Sequence, residues 1–205
     1  MDRLKDRHPL KRGAHPTRDD GMCAMETVAW LAGEEHSDEP RCACPVIAAF
    51  VRAFNDALPS DSARSRYLRA FVPRIVNSRG TLEHERRRGW LCADAVVRGL
   101  VPMALFRSGR RAEAGLLQEL PVIRGAATAR AALRALATYA PDQDAARWIL
   151  ERAIEGTPAA RFAAGVVHVA RGVGDVASFT LLAELLRAML ALDARAGKTS
   201  PDLPR

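Results

Sequence analysis

Along the first quarter of the chain, apolar and polar positions separate into two blocks. From Met22 to Gly33 the run is uncharged except for Glu26. A polar knot follows at once: Glu34, Glu35, His36, Ser37, Asp38 and Glu39, with Cys42 and Cys44 behind it. The run predicts a helix that stops at Gly33, because glycine accepts the left-handed conformation that closes a helix. Apolar side chains surround it on every side, which predicts a central, buried helix. The polar stretch 34–44 is expected to be a loop. Pro45 opens the next helix, where its missing N–H is no loss. That helix carries Val46, Ile47, Ala49, Phe50, Ala53 and Phe54 at helical spacing and ends near Leu58.

The same reading continues to the C-terminus. Ser60 or Asp61 caps a helix bearing Tyr67, Leu68 and Phe71, and Pro73 to Val76 forms a short turn. Thr81 caps a longer helix with Glu83 and Glu85 in its first turn and a stripe of Trp90, Ala93, Val97 and Leu100. Pro102 is expected to kink or end it. Helices follow over Glu113 to Glu119 and Ala126 to Tyr139, and Asp142, Thr157 and Asp175 are further caps. Thr157-Pro158 pairs a cap with a proline at the first helical position. The last helix, Val176 to Ala196, carries Phe179, Leu182, Leu186 and Met189. No strand-like alternation or hairpin dipeptide stands out. The expected fold is all-α, a compact orthogonal bundle of about nine or ten helices. Residues 1–20 are expected to be a flexible tail, 21–196 a single helical domain and 197–205 a second tail. Within the domain, 22–100 is a motif-bearing half and 101–196 an Ala-rich half.

Composition narrows the picture. A chain of 205 residues suffices for one core without disulfides. Aromatic residues make up only 5% and alanine is abundant, which favours close helix-on-helix packing. The net charge is +7, almost all of the positive charge being arginine. Residues 22–60 hold six acids and two bases, whereas 61–90 hold eight bases and three acids. Such neighbouring stretches predict internal pairing, with an anion- or nucleic-acid-binding surface as the alternative. The N-terminus lacks the apolar core of a signal peptide. No apolar run reads as long enough to span a bilayer; the best candidate, Gly156 to Gly174, contains Arg161 and Arg171. Four cysteines without an export signal predict reduced thiols in the cytoplasm.

Glu26 is the first candidate for chemistry, since a buried carboxylate must be paired, protonated or metal-bound. Pairing would fall to Arg74, Arg79 or one of Arg86 to Arg88. A protonated Glu26 with a raised pKa would serve as acid or base, assisted by His36 or Asp38 from the loop. Arg79 or Arg86 would orient an anionic substrate group, with Trp30 and Trp90 completing the substrate-binding set. The competing reading makes His36 a solvated side chain ahead of an Asx-type turn. Cys23, Cys42 and Cys44, with Cys92 or His36, carry ligand types suited to zinc, but no CxxC pair is present, and buried thiols that pack as small hydrophobes are the simpler assignment. Arg64 to Arg88 has few interleaved aromatics, which disfavours stacking on single strands.

The string MCxMExxAxLAGExxSDxPxCxxP, Met22 to Pro45, resembles an uncharacterised group of small helical proteins from actinobacteria and their phages. The block PRIVNSRGTLEHERRRGW, Pro73 to Trp90, is similar to the same group. The resemblance covers the first half of the chain, implies that residues 22–90 form one unit, and brings no activity with it. Taken together, the residues point first to a small cytoplasmic enzyme, of specialised metabolism, using a buried carboxylate on a small-molecule substrate without a cofactor. The alternative is a non-catalytic protein- or nucleic-acid-binding helical protein using residues 64–88, with no membrane role.

Overall fold

The computed structural model describes residues 9–196. Eleven α-helical segments make up its regular structure. They are α1 (Ala24–Ala32), α2 (Pro45–Ala57), α3 (Asp61–Leu68), α4 (Val72–Ile75), α5 (Leu82–Ala95), α6 (Val101–Arg107), α7 (Arg111–Gln118), α8 (Ala126–Tyr139), α9 (Asp144–Ile154), α10 (Ala160–Val173) and α11 (Val176–Ala196). A π-helical turn, Val96–Leu100, joins α5 to α6. No strand occurs among the described residues, and the one bridge, Leu10 to Met22, is isolated. The fold is an all-α helical bundle, as the periodicity predicts.

The core is built around α2 and α10, which lie along one another. Val46, Ile47, Phe50, Val51 and Phe54 of α2 and Phe162, Ala163, Val166 and Ala170 of α10 are buried. Each large apolar side chain removed from water contributes about 1.5–3 kcal/mol before the entropy of ordering the chain is counted. The rings of Phe50, Phe54, Tyr67 and Phe179 sit 5.9–6.3 Å apart and tie α2 to α3 and α11. Helix α5 closes on α10 through Gly89, where an added Cβ would lie 2.8 Å from Ala159 Cβ and 3.1 Å from Phe162 Cζ.

Local chemistry explains most of the helix ends. Gly33 closes α1 at φ 73°, its N–H donating to Ala29 and Trp30. Pro45 opens α2. Ser60 accepts from Ala63 N–H at the start of α3, and Thr81 accepts from His84 N–H at the start of α5. Asp175 Oδ1 takes Ala177 N–H at the start of α11. Two boundaries differ from expectation. Gln143, not Asp142, occupies the N-cap of α9. Helix α10 begins at Ala160 after a turn at Pro158, because Thr157 donates its own N–H back to Arg152 O and still belongs to the end of α9.

Pro102 does not end the helix that contains it. Val101 N–H reaches back to Val96 O, the five-residue step of a π turn. The widened turn makes Pro102 a first-turn residue of α6, where no N–H is required. Leu82–Arg107 is therefore one continuous helix of 26 residues, long and apolar enough to cross a membrane by length and composition, with half of its apolar window buried inside the bundle. This corrects the expectation that no such run exists. Contacts with α2, α9, α10 and α11 make this helix part of the protein core.

Residues 9–20 are not the tail expected from their mixed charge, and the remainder of that expected tail, 1–8, lies outside the described residues. Leu10 is 3% exposed. Lys11 N–H donates to Met22 O, its ammonium pairs with Asp61 at 2.7 Å, and its carbonyl accepts from Asn55 Nδ2 at 2.9 Å. Gly13 N–H donates to Asp56. One apolar anchor and a series of long-range hydrogen bonds hold this strap, residues 9–22, to α1 and α2. The predicted C-terminal tail, 197–205, lies outside the described residues.

Candidate functional site

The site is built on the N-terminus of α1. Cys23 is the N-cap: its Sγ accepts from Glu26 N–H at 3.4 Å, and Glu26 Oε2 accepts from Cys23 N–H at 2.6 Å. This reciprocal pair is a capping box with a thiol in place of the usual hydroxyl. It turns the Glu26 side chain back over the helix start, where the strap crosses. There His15 N–H donates to Glu26 Oε1 at 2.6 Å and His15 Nδ1 lies 2.8 Å from Oε2. His36, from the polar loop, places Nε2 at 3.5 Å from Oε1 and 2.9 Å from His15 O.

Glu26 is 1% exposed, as expected for a dry carboxylate, but its partners differ from those expected. Among the described residues they are N–H groups of Cys23 and His15 together with the His36 ring, and no arginine. Burial alone would raise the Glu26 pKa; the donated hydrogen bonds of Cys23 and His15 outweigh it and the net direction is downward. Glu26 is thus an ionised acceptor and not a protonated acid, one of its three expected fates, and His15 Nδ1 must carry the proton in their shared bond. His36 Nε2 faces a carbonyl and so donates as well. Its Nδ1 is buried without a hydrogen-bond partner.

Other sequence-selected residues are not gathered here. Asp38 turns to Arg52, which also pairs with Glu39 at 2.9 Å. Glu34 anchors the loop, accepting from Arg41 and Cys42 N–H; these bonds hold its carboxyl below the usual range against the opposing effect of desolvation. Trp30 is half-buried at the far end of α1. Arg79 is exposed and donates to Arg41 O at 3.0 Å. Arg86 and Trp90 line a separate groove of about 390 Å³ between α5 and the α9–α10 junction, with Leu82, Ile154 and Phe162. Arg86 and Trp90, expected beside Glu26, thus line a different groove. Helix α5 turns towards α9, α10 and α11 to bury its apolar stripe.

The cysteines serve packing and capping. Burial pushes the Cys23 and Cys92 thiols up to about 12 and raises Cys42 as well. No group of three metal-ligating side chains forms among the described residues, so Cys23, Cys42 and Cys44 are not a zinc set there. Cys44 N–H donates to Ser78 Oγ at the start of α2.

The arginine segment divides by use. Arg64 is 4% exposed and donates to Asn55 O, Leu58 O and Asp61. Arg88 is fully buried and donates to Met189 O. Arg86 and Arg87 both face Glu83 on their own helix, at 3.5 and 3.8 Å. Like the Arg52 pairs, these stay within their own segment and do not bridge the acidic and basic stretches.

Sequence reasoning missed His15, which lies in a stretch with no periodicity. It also missed the spacing Cys23-x-x-Glu26, whose likeness to a capping box was available as a signal. No family model, curated protein or solved structure matches this chain significantly.

Proposed function

We propose that this protein is a non-catalytic helical module that binds nucleic acid through exposed arginines. The observation supporting the reading is the fate of the cations. The fold consumes Arg64 and Arg88, whereas Arg66, Arg74 and Arg79 remain exposed with no carboxylate in ion-pair range among the described residues. In a chain of net charge +7, such guanidinium groups attract phosphate at long range and bind it in bidentate geometry at short range. Glu26, ionised and already accepting several N–H groups, has no need of a ligand. Titrating labelled DNA duplex and single-stranded RNA against the protein at rising salt tests the reading. Affinity is expected to fall linearly on a double-logarithmic plot; no binding at about 50 mM salt, or binding indifferent to salt, rejects it.

One observation favours a second reading, a small acid/base enzyme of the cytoplasm. An ionised carboxylate that takes the Nδ1 proton of His15 leaves Nε2 as a proton acceptor, the relation used to orient a general base. In that reading His15 transfers the proton and Glu26 positions it. His15 would then be the histidine modified first by diethyl pyrocarbonate in the native protein. An unreactive His15 removes this reading.

A further inference from the structure

We infer that the groove between α3 and α11 is a phosphate site, formed by Arg66, Arg74 and Arg187 around the ring of Phe71. This rests on the nucleic-acid reading and gives it a location. Arg74 and Arg187 come from distant parts of the chain, yet their guanidinium carbons lie 5.9 and 5.6 Å from the same ring centroid. Arg66 and Arg187 line the adjoining groove of about 280 Å³ with Tyr67, Thr180 and Glu184. All three arginines are exposed, and Phe71 beneath them is 6% exposed.

The argument concerns charge. Guanidinium groups repel, and folding brings two of them onto one ring with no carboxylate among the described residues in ion-pair range of any of the three. Glu184 at the rim is the one acid lining the groove, so cations exceed anions there. The ring attracts each cation through its face and holds the guanidinium planes while leaving N–H edges for an acceptor. A phosphate supplies the missing negative charge and oxygens that accept from planar forks. Thr180 adds a hydroxyl on the α11 side. The basic stretch 64–88 alone does not form this site, because α11 supplies Arg187.

Inorganic phosphate is the first probe. Side-chain Nε–H resonances of Arg66, Arg74 and Arg187 are expected to shift together and saturably, while those of Arg86 and Arg87 stay in place. No shift, or equal shifts at every exposed arginine, overturns the site. DNA is the second probe. The variant R66A/R74A/R187A is expected to bind about tenfold or more weakly, with a salt slope lower by about 2–3, whereas R86A/R87A binds as the unaltered protein does. R74K/R187K, which keeps both charges, guards against a folding defect and is expected to fall between the two. If the triple variant binds DNA normally while R86A/R87A loses binding, the nucleic-acid reading stands and this site fails. If the unaltered protein ignores DNA yet shows the three phosphate shifts, the reading fails and the site stands. Equal affinity for oligonucleotides with and without a terminal phosphate assigns the groove to the backbone diester; preference for the phosphorylated end assigns it to a terminal group.

Discussion

Glu26 and the Phe71 groove show two opposite treatments of charge in one bundle. Around Glu26 a single anion is excluded from water and accepts N–H groups from Cys23 and His15, with the ring of His36 close by. Around Phe71 two exposed guanidinium groups lie over one ring, and Glu184 is the one acid lining the adjoining groove. The first arrangement holds the strap to α1 and is complete without a ligand. The second is incomplete as it stands. A buried charge that is fully bonded belongs to folding, and charges left together without a counterion at a surface are where a partner is to be sought.

Removing the anion should give the largest effect. Glu26→Gln leaves the Cys23 and His15 donors facing a neutral amide under the strap, and a loss of about 3 kcal/mol is expected in urea unfolding. Unchanged stability would place Glu26 in the same class as the groove arginines. Next in size is the reverse pattern for R66A/R74A/R187A: DNA affinity falls about tenfold while the melting temperature barely moves. A melting temperature that falls with affinity would make these arginines structural. His15→Ala, which removes one charge-assisted hydrogen bond, is expected to cost about 1–2 kcal/mol and to speed amide exchange across residues 10–22. Exchange that stays slow would mean Leu10 and Lys11 hold the strap unaided.

Acid should remove what Glu26 contributes. The folded pKa of Glu26 lies below its ordinary value of 4.5, so its contribution is present above that value and is lost as pH falls through the lower folded value. The stability gap between the unaltered protein and Glu26→Gln should therefore hold near neutrality and shrink below about pH 4.5. A gap that grows in acid contradicts the downward shift. The smallest effect belongs to R86A/R87A. These exposed, locally paired side chains should leave melting temperature and DNA binding unchanged.

Much of the fold was legible because its signals are local. Gly33, Pro45, Ser60, Thr81 and Asp175 each act within a turn of themselves, and the apolar stripes of α2, α5 and α10 need only helical spacing. Pro102 does not end its helix because of the π turn before it, which depends on how the helix must sit on its neighbours and which no single residue announces. The dryness of Glu26 followed from its apolar run. Its partners did not, since His15 belongs to a segment recognisable as structure only once Leu10, Lys11 and Gly13 are seen bonded to α1 and α2. Arg187 was invisible for the same reason: its meeting with Arg74 is a product of tertiary packing over more than half the chain.

The widened turn at Val96–Leu100 sets the angular phase of everything beyond it. If the same residues followed ordinary α-helical winding there, α6 would be rotated by about 100° relative to α5. Val101 and Leu105, now facing the interior, would swing outward, and Pro102 would fall mid-helix with its ring against a carbonyl one turn back. The apparent irregularity is thus the phase correction that lets one long rod present a continuous oily side to two successive layers of neighbours.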